Sequence, residues 1–210
     1  RTLAEALKLS RTTIRRCYDD LRDQDHISTH GRAGVMVKST PRINPQMDKL
    51  RGFTEEMREL GMEPSTRILE QRVVSDRAIA SIFNRPSTAR FLKLVRLRLA
   101  DNLPMSREVA WYDLTLAPNL TQYDMSGSVY SFLQTQCGLT LQYGEQSTEA
   151  AMSNPDEMEC FEFHEPGPCL LMKRRTYTNT GQMIEYVEGT FRGDAYTYRI
   201  TLNVDNNSAA

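Results

Sequence analysis

Nowhere in the 210 residues is there an apolar run approaching the roughly 18 that a membrane-spanning helix needs. The first residues are polar with a helical pattern, unlike a signal peptide, so the expected location is the cytoplasm. Cysteine is sparse: Cys17, Cys137, Cys160 and Cys169 are scattered and form no C-x-x-C pair, so the thiols are expected to be reduced. Cys160, His164 and Cys169 lie close in sequence, but their spacing matches no common zinc site and a fourth ligand is missing. No cofactor is expected. The chain also lacks a phosphate loop, a nucleophile elbow and a metal-ligand cluster, which leaves little to support an enzyme. Net charge is −1, which taken alone argues against nucleic acid.

That charge is unevenly spread. Residues 1–42 hold nine Lys and Arg against five Asp and Glu, a balance of +4. The rest hold seventeen against twenty-two, a balance of −5. A basic N-terminal piece on an acidic body fits a DNA-contacting module joined to something else.

The basic piece has a readable pattern. Leu3, Ala6 and Leu7 share one helical face, and Ser10 can cap a second helix from Arg11 to about Asp25. On that helix Ile14, Cys17, Tyr18 and Leu21 are expected to form a buried stripe, with Arg11, Thr12, Arg15, Arg16 and Arg22 largely off it. Two short helices meeting at a tight turn follow the helix-turn-helix plan. Ser10, Arg11, Thr12, Thr13, Arg15 and Arg16 supply hydroxyl and guanidinium donors near the N-terminal end of the second helix, where the motif reads DNA. A solvated helix face explains the same arginines equally well from the pattern alone. Two strands around Gly31-Arg32-Ala33-Gly34 predict a basic hairpin, with His30 beside its turn.

Residues 39–52, with Pro41, Asn44, Pro45 and Gly52, read as a linker. Beyond them strands dominate, and turn signals between them suggest an antiparallel sheet with packed helices, an α+β arrangement. Expected strands cover residues 66–74, 91–99, 106–112, 139–148, 170–178, 183–191 and 196–202, and expected helices residues 53–60, 75–83, 128–136 and 155–163. Residues 204–210 are expected to form a disordered tail.

Alternation along residues 91–99 puts Leu92, Leu94, Arg96 and Arg98 on one strand face. Arginines continuing a leucine face are costly if desolvated and unpaired. Either a bound anion or partner carboxylates would remove that cost. A hairpin turning at Asp101-Asn102 and pairing residues that sum to 204 sets Glu108 opposite Arg96. Glu108 could accept a hydrogen bond from a ligand or simply neutralise Arg96. Thr54 could cap the helix that starts at Phe53, and that helix end could hold an anion or be an ordinary cap, with Glu55 and Glu56 already answering its dipole. Ser128 and Tyr130 open another helix and offer hydroxyls. Trp111, Tyr112 and the ten methionines are expected to be core.

The run from Arg1 to Arg16 resembles the helix-turn-helix of GntR-family transcription regulators, and His30-Gly-Arg-Ala-Gly34 resembles its wing. The resemblance implies that the chain starts inside the motif, without the family's first helix, so residues 1–38 form a partial winged helix-turn-helix. It also implies that Arg1, Arg11, Thr12, Thr13, Arg15 and Arg16 approach DNA, with His30 and Arg32 approaching through the wing. Residues 53–203 resemble the UTRA effector domain of the HutC subgroup, similar in fold to chorismate lyase. The pieces that carry this are Arg96-Leu-Arg98-Leu-Ala-Asp-Asn-Leu-Pro104, Glu108, Ser128-Val-Tyr130, Ile184-Glu-Tyr186 and Phe191-Arg-Gly-Asp-Ala-Tyr196. The resemblance implies effector contacts from Thr54, Arg96, Arg98, Glu108, Ser128, Tyr130, Glu185 and Phe191, the last standing where many relatives have Tyr. It implies a repressor that binds a palindromic operator in double-stranded DNA as a homodimer and is released by a small anionic metabolite. An enzyme of chorismate-lyase-like fold acting on a small organic acid is the alternative. An activator, or a DNA-binding protein indifferent to ligands, is a third.

Overall fold

In a computed structural model the chain divides into two compact units, Arg1–Arg42 and Ile43–Ala210. The structure describes residues 2–23, 27–29, 35–37 and 50–197. Arg1, His26, His30, Arg32, residues 39–49 of the expected linker and the expected tail lie outside these.

In the first unit α1 (Thr2–Ala6) and α2 (Arg11–Asp23) precede β1 (Ile27–Thr29) and β2 (Val35–Val37), which pair antiparallel with Ile27 opposite Val37. Ser10 caps α2 as expected, its Oγ accepting the Thr13 N–H at 3.0 Å. The expected buried stripe on α2 is only partly covered: Ile14 and Tyr18 are half-buried, whereas Cys17 is exposed and Leu21 retains 39% of its surface. Ala4 and Ile27 are the buried apolar side chains described in this unit, too few to cover the whole stripe.

The second unit is built on a six-stranded antiparallel sheet in the order β3 (Pro64–Val74), β4 (Phe91–Ala100), β5 (Leu103–Asp113), β8 (Met183–Arg192), β7 (Pro168–Thr178), β6 (Leu141–Met152). The β4–β5 turn uses Asp101 and Asn102 at φ 49° and 63°. Asn and Asp tolerate this left-handed region, and two such residues in succession match the strand twist. The register that follows sets Arg96 opposite Glu108, as the sum of 204 predicts. β6 runs four residues beyond the expected Thr148, because Glu149–Met152 find partners in Pro168–Leu171. At the far end Tyr196 makes only an isolated bridge, and residues 198–202 of the expected last strand lie outside the described region.

Helices cover both faces of the sheet. Phe83 and Ile79 of α4 (Arg77–Ile82, with its C-cap Phe83) pack on Phe91 and Tyr186, while Phe161 of α6 (Pro155–Phe161) packs on Leu97 and Cys169. The opposite face is covered in two parts. Val129 and Leu133 of α5 (Val129–Thr135) join Leu92, Leu94, Ala110 and Tyr112. Phe53 and Met57 of α3 (Phe53–Glu59) join Met172, Phe191 and Tyr196. Between these apolar groups the same face carries Arg96, Arg98 and Glu108. Among the described residues no helix is long and apolar enough to cross a membrane.

Candidate anion-binding site

Pleating brings Arg96 and Arg98 of β4, Ser106 and Glu108 of β5, Glu185 and Phe191 of β8, and Arg174 of β7 to one face of the sheet, through the pairs Arg96–Glu108, Glu185–Tyr112, Phe191–Ser106 and Arg174–Val187. Arg96 keeps 6% and Arg98 2% of its surface. They are not spread on a wet face. Glu108 Oε2 accepts from Arg96 Nη2 at 3.1 Å and lies 3.6 Å from Arg98 Nε. One carboxylate therefore serves two guanidinium groups. Among the described residues Arg96 Nε and Nη1 and Arg98 Nε are buried without a hydrogen-bond partner. Burial pushes Arg98 down to about 10, against the pull of Glu108. Glu108 shows the reverse balance: burial opposes its charge, but Arg98, Arg96 and Arg174 together hold it below the ordinary 4.5.

Glu185 is the second carboxylate. Its oxygens accept from Tyr112 Oη at 2.9 Å, Tyr130 Oη at 2.6 Å and Thr176 Oγ1 at 2.7 Å, with Arg174 Nε at 4.0 Å. Burial raises the pKa of Tyr112 and Tyr130, so both keep the protons they donate. Tyr112 is thus a core residue, as expected, and also an anchor of the site.

These groups line a small chamber of about 20 Å³, room for about one water-sized group. Thr54, Ser128 and Tyr130 separate it from an outer cleft of about 790 Å³, whose lining they share. α3 forms the roof. The Phe53 ring carries the Arg98 guanidinium at 4.7 Å, and Thr54 Oγ1 lies 3.5 Å from Arg98 Nη2. Arg98 Nη1 donates to Thr66 Oγ1 at 2.7 Å. Glu56, one turn along, accepts the Tyr196 hydroxyl at 2.8 Å, and burial raises its pKa. Thr54 does not cap α3. Gly52 takes the extended cap position at φ −83°, ψ 152° and makes no side-chain bond. Thr54 is thereby drawn inside the first turn and faces Arg98. Gly52 itself abuts Tyr130 and Ser128. Ser128 caps α5, accepting the Ser131 N–H at 3.4 Å.

Seven of the eight expected positions therefore meet at the chamber: Thr54, Arg96, Arg98, Glu108, Ser128, Tyr130 and Glu185. Phe191 does not line it. Lacking a hydroxyl, its ring packs against Tyr196 at 4.5 Å in the apolar cluster under α3. Sequence reasoning missed Arg174, whose guanidinium sits 5.7 Å from the Tyr130 ring. Its signal is present in the alternation Met172, Arg174, Thr176, but its place depends on strand order. In the first unit Arg11, Thr12, Thr13, Arg15 and Arg16 are all exposed on α2. Arg1, His30 and Arg32 lie outside the described residues. Cys160 and Cys169 pack in the cluster of Leu97 and Phe161.

Comparison with known proteins places this architecture. The UTRA domain family matches residues 59–197. The HTH-type transcriptional repressor NagR of Bacillus subtilis is 27% identical over 94% of this chain and 82% of its own length. The mannosyl-D-glycerate transport/metabolism system repressor MngR of Escherichia coli is 24% identical over 91% of this chain and 80% of its own. The crystal structure of PhnF from Mycobacterium smegmatis superposes with a TM-score of 0.75 at 19% identity, covering 97% of this chain and 90% of that one. With regulators on every side, the enzyme alternative falls away. The chain belongs to the UTRA-domain family and is a transcription regulator of the GntR type, HutC subgroup.

Proposed function

We propose that this regulator is a repressor that leaves its operator when a small anionic metabolite binds beside Arg96 and Arg98. The carrying observation is the buried arginine pair next to a chamber, in which, among the described residues, Arg96 Nε and Nη1 and Arg98 Nε lack acceptors. A desolvated guanidinium with spare donors is costly, and an incoming acceptor anion removes that cost. Glu108 holds the pair in place, and Thr54, Ser128 and Tyr130 offer polar contacts where the chamber meets the outer cleft. The basic face of α2, with Arg11, Thr12, Thr13, Arg15 and Arg16, enters the major groove. Arg1, His30 and Arg32 add phosphate or minor-groove contacts. Residues 1–38 act as the DNA-binding part and residues 53–203 as the sensor.

A homodimer would set two recognition helices on successive major grooves of a palindromic operator, and such a protein works in the cytoplasm, with the DNA. The ligand acts only through differential affinity for the operator-bound and free states. A coupling of about 1–3 kcal/mol gives roughly a 5–150-fold loss of operator affinity. The test is operator release. Genomic fragments retained by the protein are selected, and release by a panel of anionic metabolites is followed by fluorescence anisotropy. Arg96→Gln/Arg98→Gln should bind the operator normally and ignore the metabolite. Release that survives the double substitution refutes the proposal.

A further inference from the structure

The chamber's charge and hydrogen-bonding balance narrow the kind of anion it takes. We infer that the effector is a monocarboxylate on a flat, unsaturated body poor in hydroxyl groups, and not a polyol phosphate. This rests on Arg96 and Arg98 being the anion seat.

Charge comes first. Among the described residues three guanidinium groups line the chamber, Arg96, Arg98 and Arg174, against two carboxylates, Glu108 and Glu185, and the other described lining residues are uncharged. The excess is one positive charge. One carboxylate cancels it. A phosphate monoester carries about −1.5 to −2 at neutral pH and would leave a desolvated site with surplus negative charge.

Hydrogen bonding points the same way. Among the described residues, donors predominate in what is left over at the seat: Arg96 Nε and Nη1 and Arg98 Nε, with the Ser106 hydroxyl opposite Arg98 also unpartnered. A carboxylate accepts from such forks at two oxygens. A polyol brings donors of its own and needs acceptors. Glu185 already receives three hydroxyls, from Tyr112, Tyr130 and Thr176, out of about four lone-pair sites. Glu108 is drawn to both arginines. Phe191 contributes no hydroxyl and faces Tyr196.

The walls complete the picture. Phe53 and Tyr130 are the aromatic lips, each with a guanidinium against its ring, and Val129 and Val187 add apolar surface. Aromatic and aliphatic walls of this kind suit an unsaturated body better than a puckered, hydroxylated one.

The experiment uses the full chain with benzoate, trans-cinnamate, cinnamamide, glucose 6-phosphate and inorganic phosphate at neutral pH, read by calorimetric titration and thermal shift. Expected is saturable cinnamate binding with a Kd of about 1 mM or tighter, the scale of a ligand with few contacts. Cinnamamide should bind at least about tenfold more weakly, the difference a single charge-assisted contact makes. Glucose 6-phosphate should give no shift at matching concentrations. Arg96→Gln should weaken cinnamate about tenfold or more, and Arg174→Gln should weaken it too while Arg174→Lys, which keeps the charge, restores it. Circular dichroism confirms that each variant is folded. If glucose 6-phosphate binds more tightly than either carboxylate, at a site lost in Arg96→Gln, the inference about ligand class is wrong while the anion seat stands. Absence of carboxylate binding also overturns it. Carboxylate binding indifferent to Arg96→Gln removes the seat and the inference together.

Discussion

Glu108→Gln isolates the electrostatics of the site. The carboxylate Oε2 lies 3.1 Å from Arg96 Nη2 and 3.6 Å from Arg98 Nε, with all three side chains buried. At an effective dielectric of about 20 each contact is worth about 5 kcal/mol before desolvation is charged against it. Desolvation consumes most of that, so the net cost of removing the shared partner is about 3–5 kcal/mol. In a domain of this size 1 kcal/mol moves Tm by about 2–4 °C. Glu108→Gln, which keeps the side chain's shape, should therefore melt about 6–20 °C lower in differential scanning calorimetry. The substitution also raises the chamber's excess from one positive charge to two. Inorganic phosphate should then recover part of the lost Tm in the variant, by mass action, and do little for the parent protein. A variant melting within about 2 °C of the parent, with no added response to phosphate, would refute the view that these guanidinium groups depend on Glu108.

Glu56→Gln tests the roof. Burial holds the Glu56 pKa above its ordinary 4.5, so the fold favours the protonated form and loses stability as pH rises from about 4.5 through the higher folded value. Gln mimics that form and still accepts from Tyr196, so the variant should melt above the parent at neutral pH, with the gap closing as pH falls to about 4.5; a lower Tm at neutral pH contradicts this. Arg16→Ala on the exposed face of α2 should weaken operator binding and reduce the slope of log K against log salt by about 1; an unchanged slope means that Arg16 touches no phosphate. Asn154→Ala should cost about 0.5–2 kcal/mol in urea titration, since Asn154 and Glu157 reciprocally satisfy the first turn of α6; a change near zero would show that tertiary packing alone holds that helix end.

The β4–β5 hairpin was legible because two local signals agree. Alternation assigns Arg96 and Arg98 to one face, and the Asp101-Asn102 turn fixes the register that brings Glu108 across. Ser128 and Tyr130 were placed by helix-start chemistry, which is equally local. Arg174 was not legible, because its neighbours come from the non-sequential order β5–β8–β7, which no window of sequence contains. Thr54 illustrates a different limit. A threonine before an acidic turn is a fair cap, but the cap falls two residues earlier, at Gly52, which lies beside Tyr130 and Ser128. The Asn154–Glu157 capping box is carried by the local pattern N-x-x-E, a helix start legible in the chain itself. On α2 the apolar spacing was correct, but spacing says which side chains share a face and not whether the rest of the unit covers them.

α3 has one more consequence. Its first residues, Phe53 and Thr54 with the cap Gly52, line the chamber of the arginines, and in sequence they follow the segment that comes from the first unit. Any guest larger than a single water must push this short stretch aside. On the proposed function, an effector seated on Arg96 and Arg98 would therefore act first on the residues that begin α3.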